Sequence, residues 1–329
     1  MSLAQPILSV RDLRVEIPTP HGVVKAVDGI SLDVPRGSAL GLVGESGCGK
    51  TMTLRAILGL LPGRAHIAGG EVVFDGTAVS PRSLGRLRGG SIGMVFQEPM
   101  TALNPVMRVG EQIAEGPRVR LGQSASQSRE RALELLRLVG IPDPERRYRA
   151  FPHELSGGLR QRIVIAIALA SSPQLLLCDE PTTALDVTIQ AQILDLLKNL
   201  AREFRTAFIL ITHDLGVVAG MTQRIHVMYG GQIVEKADTS ELFANPKMPY
   251  TWGLLRSIPR LDESRKAKLL PIEGLPPDLI APPPGCRFEP RCQYRREICG
   301  TTPPDLKHIP NSKPDHEARC WGTQGVAGS

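Results

Sequence analysis

Eight consecutive residues near the start of the chain carry the first chemistry. Gly44, Glu45, Ser46, Gly47, Cys48, Gly49, Lys50 and Thr51 fit the pattern Gly-x4-Gly-Lys-Ser/Thr, between the apolar run SALGLVG and the helical stretch TMTLRAILGLL. Glycines let the backbone curl so that successive N–H groups face a phosphate, and the start of the following helix adds partial positive charge. Lys50 offers a point charge to β and γ phosphates, and Thr51 offers a hydroxyl to Mg²⁺. Chance would produce the pattern in a chain of this length about once in a hundred, and the strand-helix context lowers that further.

Other polar residues end other apolar runs. Leu175 to Cys178 deliver Asp179 and Glu180 to a strand end, the place where open α/β sheets bind ligands. Asp179 suits a hold on Mg²⁺, directly or through water, and the adjacent Glu180 suits a base toward an attacking water. Gln97 follows SIGMVF and His213 follows AFILIT, so a parallel sheet would carry both toward the same edge. Alone, a histidine after a strand is an ordinary hydrogen-bonder; the company of Lys50, Asp179 and Glu180 gives His213 its interest. Cys48 and Cys178 read as small packed side chains. A further string, Leu155-Ser156-Gly157-Gly158-Leu159-Arg160-Gln161-Arg162, opens a helix with Ser-Gly-Gly. That is a second anion-binding helix start in a chain whose first phosphate site is already complete, so it calls for a second nucleotide.

The elements that must hold these residues follow from hydrophobic period. Apolar runs at Ser38 to Gly44, Ser91 to Phe96, Gln174 to Asp179 and Ala207 to Thr212 predict buried parallel strands. Ile189, Ile193, Leu196, Leu197, Leu200 and Phe204 recur at helical spacing, and a helix from about Ser124 ends at Gly140 before the prolines of IPDP. The opening ILSVRDLRVEI and the later EVVFDGTAV alternate like half-exposed antiparallel strands.

The Ser-Gly-Gly string resembles the signature of ATP-binding cassette (ABC) ATPases, in which two subunits pair head to tail and each signature caps the partner's nucleotide. That resemblance implies an α/β fold, a P-loop nucleotide-binding domain with a parallel core sheet, an antiparallel β subdomain and a helical signature subdomain. It makes Gly44 to Thr51 the Walker A motif, with Asp179 and Glu180 closing the Walker B. Gln97 becomes the Q-loop, Ala184-Leu185-Asp186 the D-loop and His213 the switch histidine. Nucleotide-contacting residues implied this way are the Walker A residues, Ser156, Gly157, Gly158, Gln161 and Asp186; Thr51, Gln97 and Asp179 surround Mg²⁺, and Glu180, His213 and Gln97 serve hydrolysis. The motifs stand in family order over about Ile7 to Phe243, with no catalytic position degraded. One place departs: where the family offers adenine an aromatic ring, this chain has Ile17, and no Tyr, Phe or Trp precedes Phe74.

QEPMTALNP (Gln97 to Pro105), MPYTWGLLRSIPRLD (Met248 to Asp262) and GCRFEPRC (Gly285 to Cys292) narrow the resemblance to ATPase subunits of oligopeptide/dipeptide importers. It implies ATP and Mg²⁺ as ligands, two membrane permeases, a second homologous ATPase making a heterodimer, an external substrate-binding protein, and a seat at the cytoplasmic face of the cell membrane. The permease coupling helices would sit near Gln97 to Pro105.

Composition divides the chain at residue 245, giving an ATPase domain over 1–245, with its helical subdomain at about 100–165, and an extension over 246–329. The extension holds 14 of the 28 prolines, four of the six cysteines and both tryptophans. Cys286, Cys292, Cys299 and Cys320 are spaced C-x5-C-x6-C-x20-C, looser than usual zinc arrangements, yet four thiols in a segment poor in apolar residues read as a metal staple. Zn²⁺ and an iron–sulfur cluster both suit four thiolates; importer relatives with this tail pattern are associated with a [4Fe-4S] cluster, which the resemblance favours over zinc.

Globular composition, 42% hydrophobic and 22% charged, excludes wholesale disorder and coiled-coil rods. Few cysteines and the lack of a charged-then-apolar leader favour a reducing compartment, and no apolar run approaches the ~20 residues of a membrane span. A soluble ABC ATPase of translation or DNA repair is the rival reading, as is the same importer machine moving nickel complexes or sugars. A nucleic-acid module in the tail lacks regularly spaced aromatics and a dense basic stripe, so no nucleic-acid partner is expected.

Overall fold

The computed structural model describes residues 5–183, 185–257 and 272–324. It divides into two compact units, each drawn from separate stretches of chain: Met1–Ile7, Val34–Ser38 and Phe74–Leu210 form one, and Leu8–Asp33, Ala39–Val73 and Ile211–Ser329 form the other. Residues 1–4, Ala184, the segment 258–271 and the end of the chain from 325 lie outside the described residues, and with them Ser257's successors in the MPYTWGLLRSIPRLD motif.

In the first unit, strand Ile92–Val95 runs parallel to strand Leu175–Asp179 in the register Ile92 opposite Leu175 through Val95 opposite Cys178. All five residues of Leu175–Asp179 are buried, as expected of a strand covered on both faces. Around it stand helices Val109–Leu121, Ala125–Leu138, Gly157–Leu169 and Val187–Glu203. The second of these begins in a capping box: Ser124 Oγ accepts the Gln127 N–H at 3.3 Å, and Gln127 Oε1 accepts the Ser124 N–H at 2.9 Å. Its end comes where expected, with Gly140 in the left-handed region at φ 71°. Helix Val187–Glu203 buries Ile193, Leu197 and Leu200, residues three and four apart on one face.

In the second unit, five strands lie in the order Lys307–His308, Glu317–Ala318, Gln232–Asp238, Arg224–Tyr229, Ala39–Val43. Ala39–Val43 pairs parallel with Arg224–Tyr229, Leu40 opposite Arg224 and Val43 opposite Val227, while Arg224–Tyr229 and Gln232–Asp238 form an antiparallel hairpin turned by Gly230 and Gly231. A separate sheet contains the long strands Gly22–Val34, Leu8–Thr19 and His66–Phe74, the first two alternating buried and exposed over part of their length as a period of two requires.

The C-terminal stretch does not fold on a core of its own. Met248, Tyr250, Leu254 and Phe288 are buried in the same cluster as Val43, Val227, Tyr229 and Leu242. Glu317–Ala318 adds an antiparallel strand to Gln232–Asp238, with Lys236 and Glu317 paired at 2.9 Å. Behind that seam His316 and Glu235, both fully buried, meet at 2.7 Å, and the Glu235 carboxylate also accepts the N–H groups of Lys247 and Met248. Such a buried pair is tolerable because both carboxylate oxygens also accept a backbone N–H. A segment poor in apolar residues is thus ordered by borrowing a core. Among the described residues no helix is long and apolar enough to cross a membrane.

Candidate nucleotide-binding site

The apolar strand Ala39–Val43 ends at Gly44, and the chain must reverse tightly before helix Lys50–Leu58. Two glycines make this possible. A Cβ at Gly44 would stand 2.1 Å from the Met228 carbonyl oxygen, and one at Gly49, whose φ is 106°, would stand 2.2 Å from that of Ala26. No side chain caps the helix start at Gly49, and a helix N-terminus carries partial positive charge that suits an anion. Lys50 is buried, and its Nζ donates to the carbonyls of Gly44 at 2.7 Å and Glu45 at 3.0 Å. The ammonium is therefore held at the loop's centre, where a phosphate oxygen can replace a carbonyl as its acceptor. Cys48 is buried, and burial raises its thiol pKa, consistent with a packed, unreactive side chain.

This loop is braced from far along the chain. The Glu45 carboxylate accepts a two-pronged bond from Arg291, at 2.7 and 3.0 Å, and the Glu45 N–H donates to the Tyr250 hydroxyl at 2.9 Å. Glu45 holds the Arg291 guanidinium firmly in its charged form, raising its pKa. Sequence reasoning missed both braces. Tyr250 and Arg291 lie within the two tail motifs, but nothing in either motif points to the loop. Ile17, on strand Leu8–Thr19 of the same unit, is half-buried, and His213 is exposed just before helix Leu215–Met221, whose start is capped by Asp214.

The other unit positions the acidic pair and the signature. Asp179 is buried at the end of its strand, and Glu180 follows with φ 44°, a left-handed turn that swings its carboxylate off the strand line. Its Oε2 accepts the Thr183 hydroxyl at 2.9 Å and the Gln97 amide at 3.4 Å. Gln97 and Glu180, 83 positions apart, are thus brought together because their strands run parallel side by side. A carboxylate with an amide beside it can orient a water and take its proton.

Ser156 and Asp186 cap the helices Gly157–Leu169 and Val187–Glu203. The Ser156 Oγ accepts the Leu159 N–H at 3.5 Å, the Asp186 Oδ1 accepts the Ile189 N–H at 3.0 Å, and Ser156, Gly157, Gly158, Leu185 and Asp186 line a cleft of about 520 Å³. Gly158 is needed for that closeness, since a Cβ there would come 2.9 Å from Ile189 Cγ2. Gln161 differs from its neighbours. It is 1% exposed and neither amide atom has a hydrogen-bond partner, so its side chain points into the fold and not into this cleft's opening.

The four tail cysteines are free thiols. Cys286 donates its backbone N–H to the Cys299 carbonyl at 2.7 Å. Burial pushes the Cys286 thiol up to about 12, with the neighbouring Cys299, Cys320 and Cys292 adding to the rise. Among the described residues, however, no three His, Cys, Asp or Glu side chains are gathered into a metal-holding group.

Comparison with known proteins gives the family. Residues 27–183 match the ABC transporter family, and residues 234–299 match the oligopeptide/dipeptide transporter C-terminal region. The dipeptide transport ATP-binding protein DppD of Bacillus subtilis is 47% identical over 96% of this chain and 95% of its own length. The oligopeptide transport ATP-binding protein OppD of Mycobacterium bovis is 50% identical over 98% of this chain, which spans about half, 53%, of that relative. A dimeric post-hydrolysis structure of the ATP-binding cassette MJ0796 with ADP and phosphate superimposes at TM-score 0.63 and 28% identity, over 70% of this chain and 98% of that one. The chain belongs to the ABC transporter ATP-binding family, in the branch that carries the oligopeptide/dipeptide transporter C-terminal region.

Proposed function

We propose that this chain hydrolyses ATP to drive import of peptides, of the dipeptide or oligopeptide class, from the cytoplasmic face of the cell membrane. The observation that carries the reading is the phosphate loop: a buried lysine folded onto its own loop carbonyls at the uncapped start of a helix. In this reading Gly44 to Thr51 cradle the phosphates, and Thr51, Asp179 and Gln97 hold Mg²⁺. Mg²⁺ neutralises phosphate charge when bound. Glu180 orients and deprotonates the attacking water, His213 stands by the γ-phosphate, and the cleft of Ser156, Gly157, Gly158 and Asp186 faces a partner's nucleotide. Gln161 stands buried on the helix that opens this cleft.

The partners in this reading are two permeases, an external binding protein and a second homologous ATPase in a heterodimer. Residues 1–245 form the motor and 246–329 an extension dedicated to this importer class. Peptide as cargo is supported by the Bacillus and Mycobacterium relatives, a dipeptide and an oligopeptide transport ATP-binding protein by name. Reconstitution with permeases and binding protein tests the whole: peptide-stimulated ATP hydrolysis that disappears with Lys50→Ala is expected, and hydrolysis undiminished by that change overturns it.

A four-thiolate metal site at Cys286, Cys292, Cys299 and Cys320, [4Fe-4S] before zinc, is the finer part of the proposal. Four cysteines free of disulfides support it, the other three lying near enough to Cys286 to add to the rise of its thiol. Coordination also requires them to draw together, since they form no metal-holding group as they stand. Anaerobically purified protein that is brown, with iron and sulfide in stoichiometric amounts, is the expected result; colourless protein with stoichiometric zinc selects the other metal, and metal-free protein removes the site.

A further inference from the structure

We propose that Arg291 is a positioning residue for the phosphate loop, acting through Glu45. The inference rests on the phosphate-loop reading above and goes beyond it, because it assigns the C-terminal segment a part in nucleotide affinity.

Glu45 is an awkward residue where it stands. It follows Gly44 directly, in a loop that is to receive a polyphosphate, and an uncompensated carboxylate there would repel the ligand. Arg291 removes that charge by a fork-to-fork pair at 2.7 and 3.0 Å. The guanidinium is itself held rigidly. Its side chain is 4% exposed, its Nε donates to the Glu273 carbonyl at 2.9 Å, and its terminal nitrogens also reach the Ile272 carbonyl at 3.0 Å and the Tyr229 hydroxyl at 3.3 Å. It lies over the rings of Tyr229 and Phe288 at 5.8 and 6.0 Å. So many fixed contacts leave little freedom to be lost when nucleotide arrives.

The pair also fixes backbone. Glu45 presents its carbonyl to Lys50, its N–H to Tyr250 and its carboxylate to Arg291. Arg291 therefore holds the side chain of the residue whose carbonyl receives the phosphate-loop Lys50. A lysine in its place could neutralise the charge but not match both oxygens at once.

The test is binding of Mg·ATP and of adenosine to the purified full-length chain, by calorimetry, for Arg291→Ala, Arg291→Lys, Glu45→Gln and the double variant Glu45→Gln/Arg291→Ala. Arg291→Ala is expected to raise the Kd for Mg·ATP about 10-fold, the scale of one charge-assisted pair, with adenosine binding unchanged. Arg291→Lys should recover part of the loss, and Arg291→Ala should add little once Glu45 is already Gln. Arg295→Ala, at an exposed neighbouring arginine, should leave both Kd values at wild type. Unchanged Mg·ATP affinity in folded Arg291→Ala overturns the proposal, as does parallel loss of adenosine binding or full additivity in the double variant. If Arg291→Ala does not fold, the lysine variant and Glu45→Gln carry the same comparison. Lys50→Ala separates the two layers: if it leaves Mg·ATP affinity intact, the phosphate-loop reading itself fails, whereas loss there beside a silent Arg291→Ala overturns only the role of Arg291.

Discussion

The Tyr250 hydroxyl accepts the backbone N–H of Glu45 at 2.9 Å, across 205 positions of sequence. The phenol is otherwise a core residue, with ring centroids 4.5 Å from Tyr229 and 5.4 Å from Phe288. Tyr250→Phe keeps that packing and removes only the acceptor. It should cost about 1–2 kcal/mol, the price of one unsatisfied amide in a partly buried place. A lower melting temperature with unchanged far-UV circular dichroism is expected; identical melting would show that water serves the N–H equally well.

Glu180→Gln removes the base and keeps the shape. The amide can still meet Gln97 and the Thr183 hydroxyl, which contact the carboxylate at 3.4 and 2.9 Å. Nucleotide binding should survive while turnover in the assembled complex falls by at least about 100-fold. Near-wild-type hydrolysis would refute the role given to Glu180.

Ile17 covers an adenine face less selectively than an aromatic ring would, because stacking adds an attraction beyond buried area. Competitive binding should find modest preference for ATP over GTP in the wild type and a stronger one in Ile17→Tyr. Equal or better discrimination by the wild type would remove Ile17 from the base site.

His226 makes stability depend on pH. It is buried on strand Arg224–Tyr229 opposite Lys236, its Nδ1 has no partner, and burial, helped by Lys236 and Arg224, pushes its pKa down to about 3. The unfolded chain takes up a proton near pH 6.5 that the folded chain refuses. Stability is therefore complete above that pH and is lost as pH falls toward 3, by about 2 kcal/mol at pH 5. His226→Leu should lose less melting temperature than wild type between about pH 7.5 and about pH 5. An equal loss in both proteins would place the pH dependence elsewhere.

Much of the fold could be read from short stretches of chain. Strand Leu175–Asp179 is legible because four consecutive apolar residues, Leu175 to Cys178, precede Asp179, and helix Ala125–Leu138 because Ser124 and Gln127 cap it and Gly140 ends it. These signals are local: period, cap and turn act within a few residues, so the string itself contains them. The same holds for the phosphate loop, where the glycines, Lys50 and the following helix are contiguous.

Other features needed the folded chain. The tail reads as a coreless, proline-rich appendage, yet Tyr250 and Phe288 complete a cluster begun by Val227 and Tyr229. Gln161, read as a nucleotide contact from its place in the signature, is buried, because the helix turns that position inward. By itself the sequence determined which residues could do phosphate chemistry and which elements would carry them. Only the tertiary structure decided that Arg291 neutralises Glu45 over 246 positions, because such pairing depends on where two distant segments pack and leaves no trace in the spacing of either.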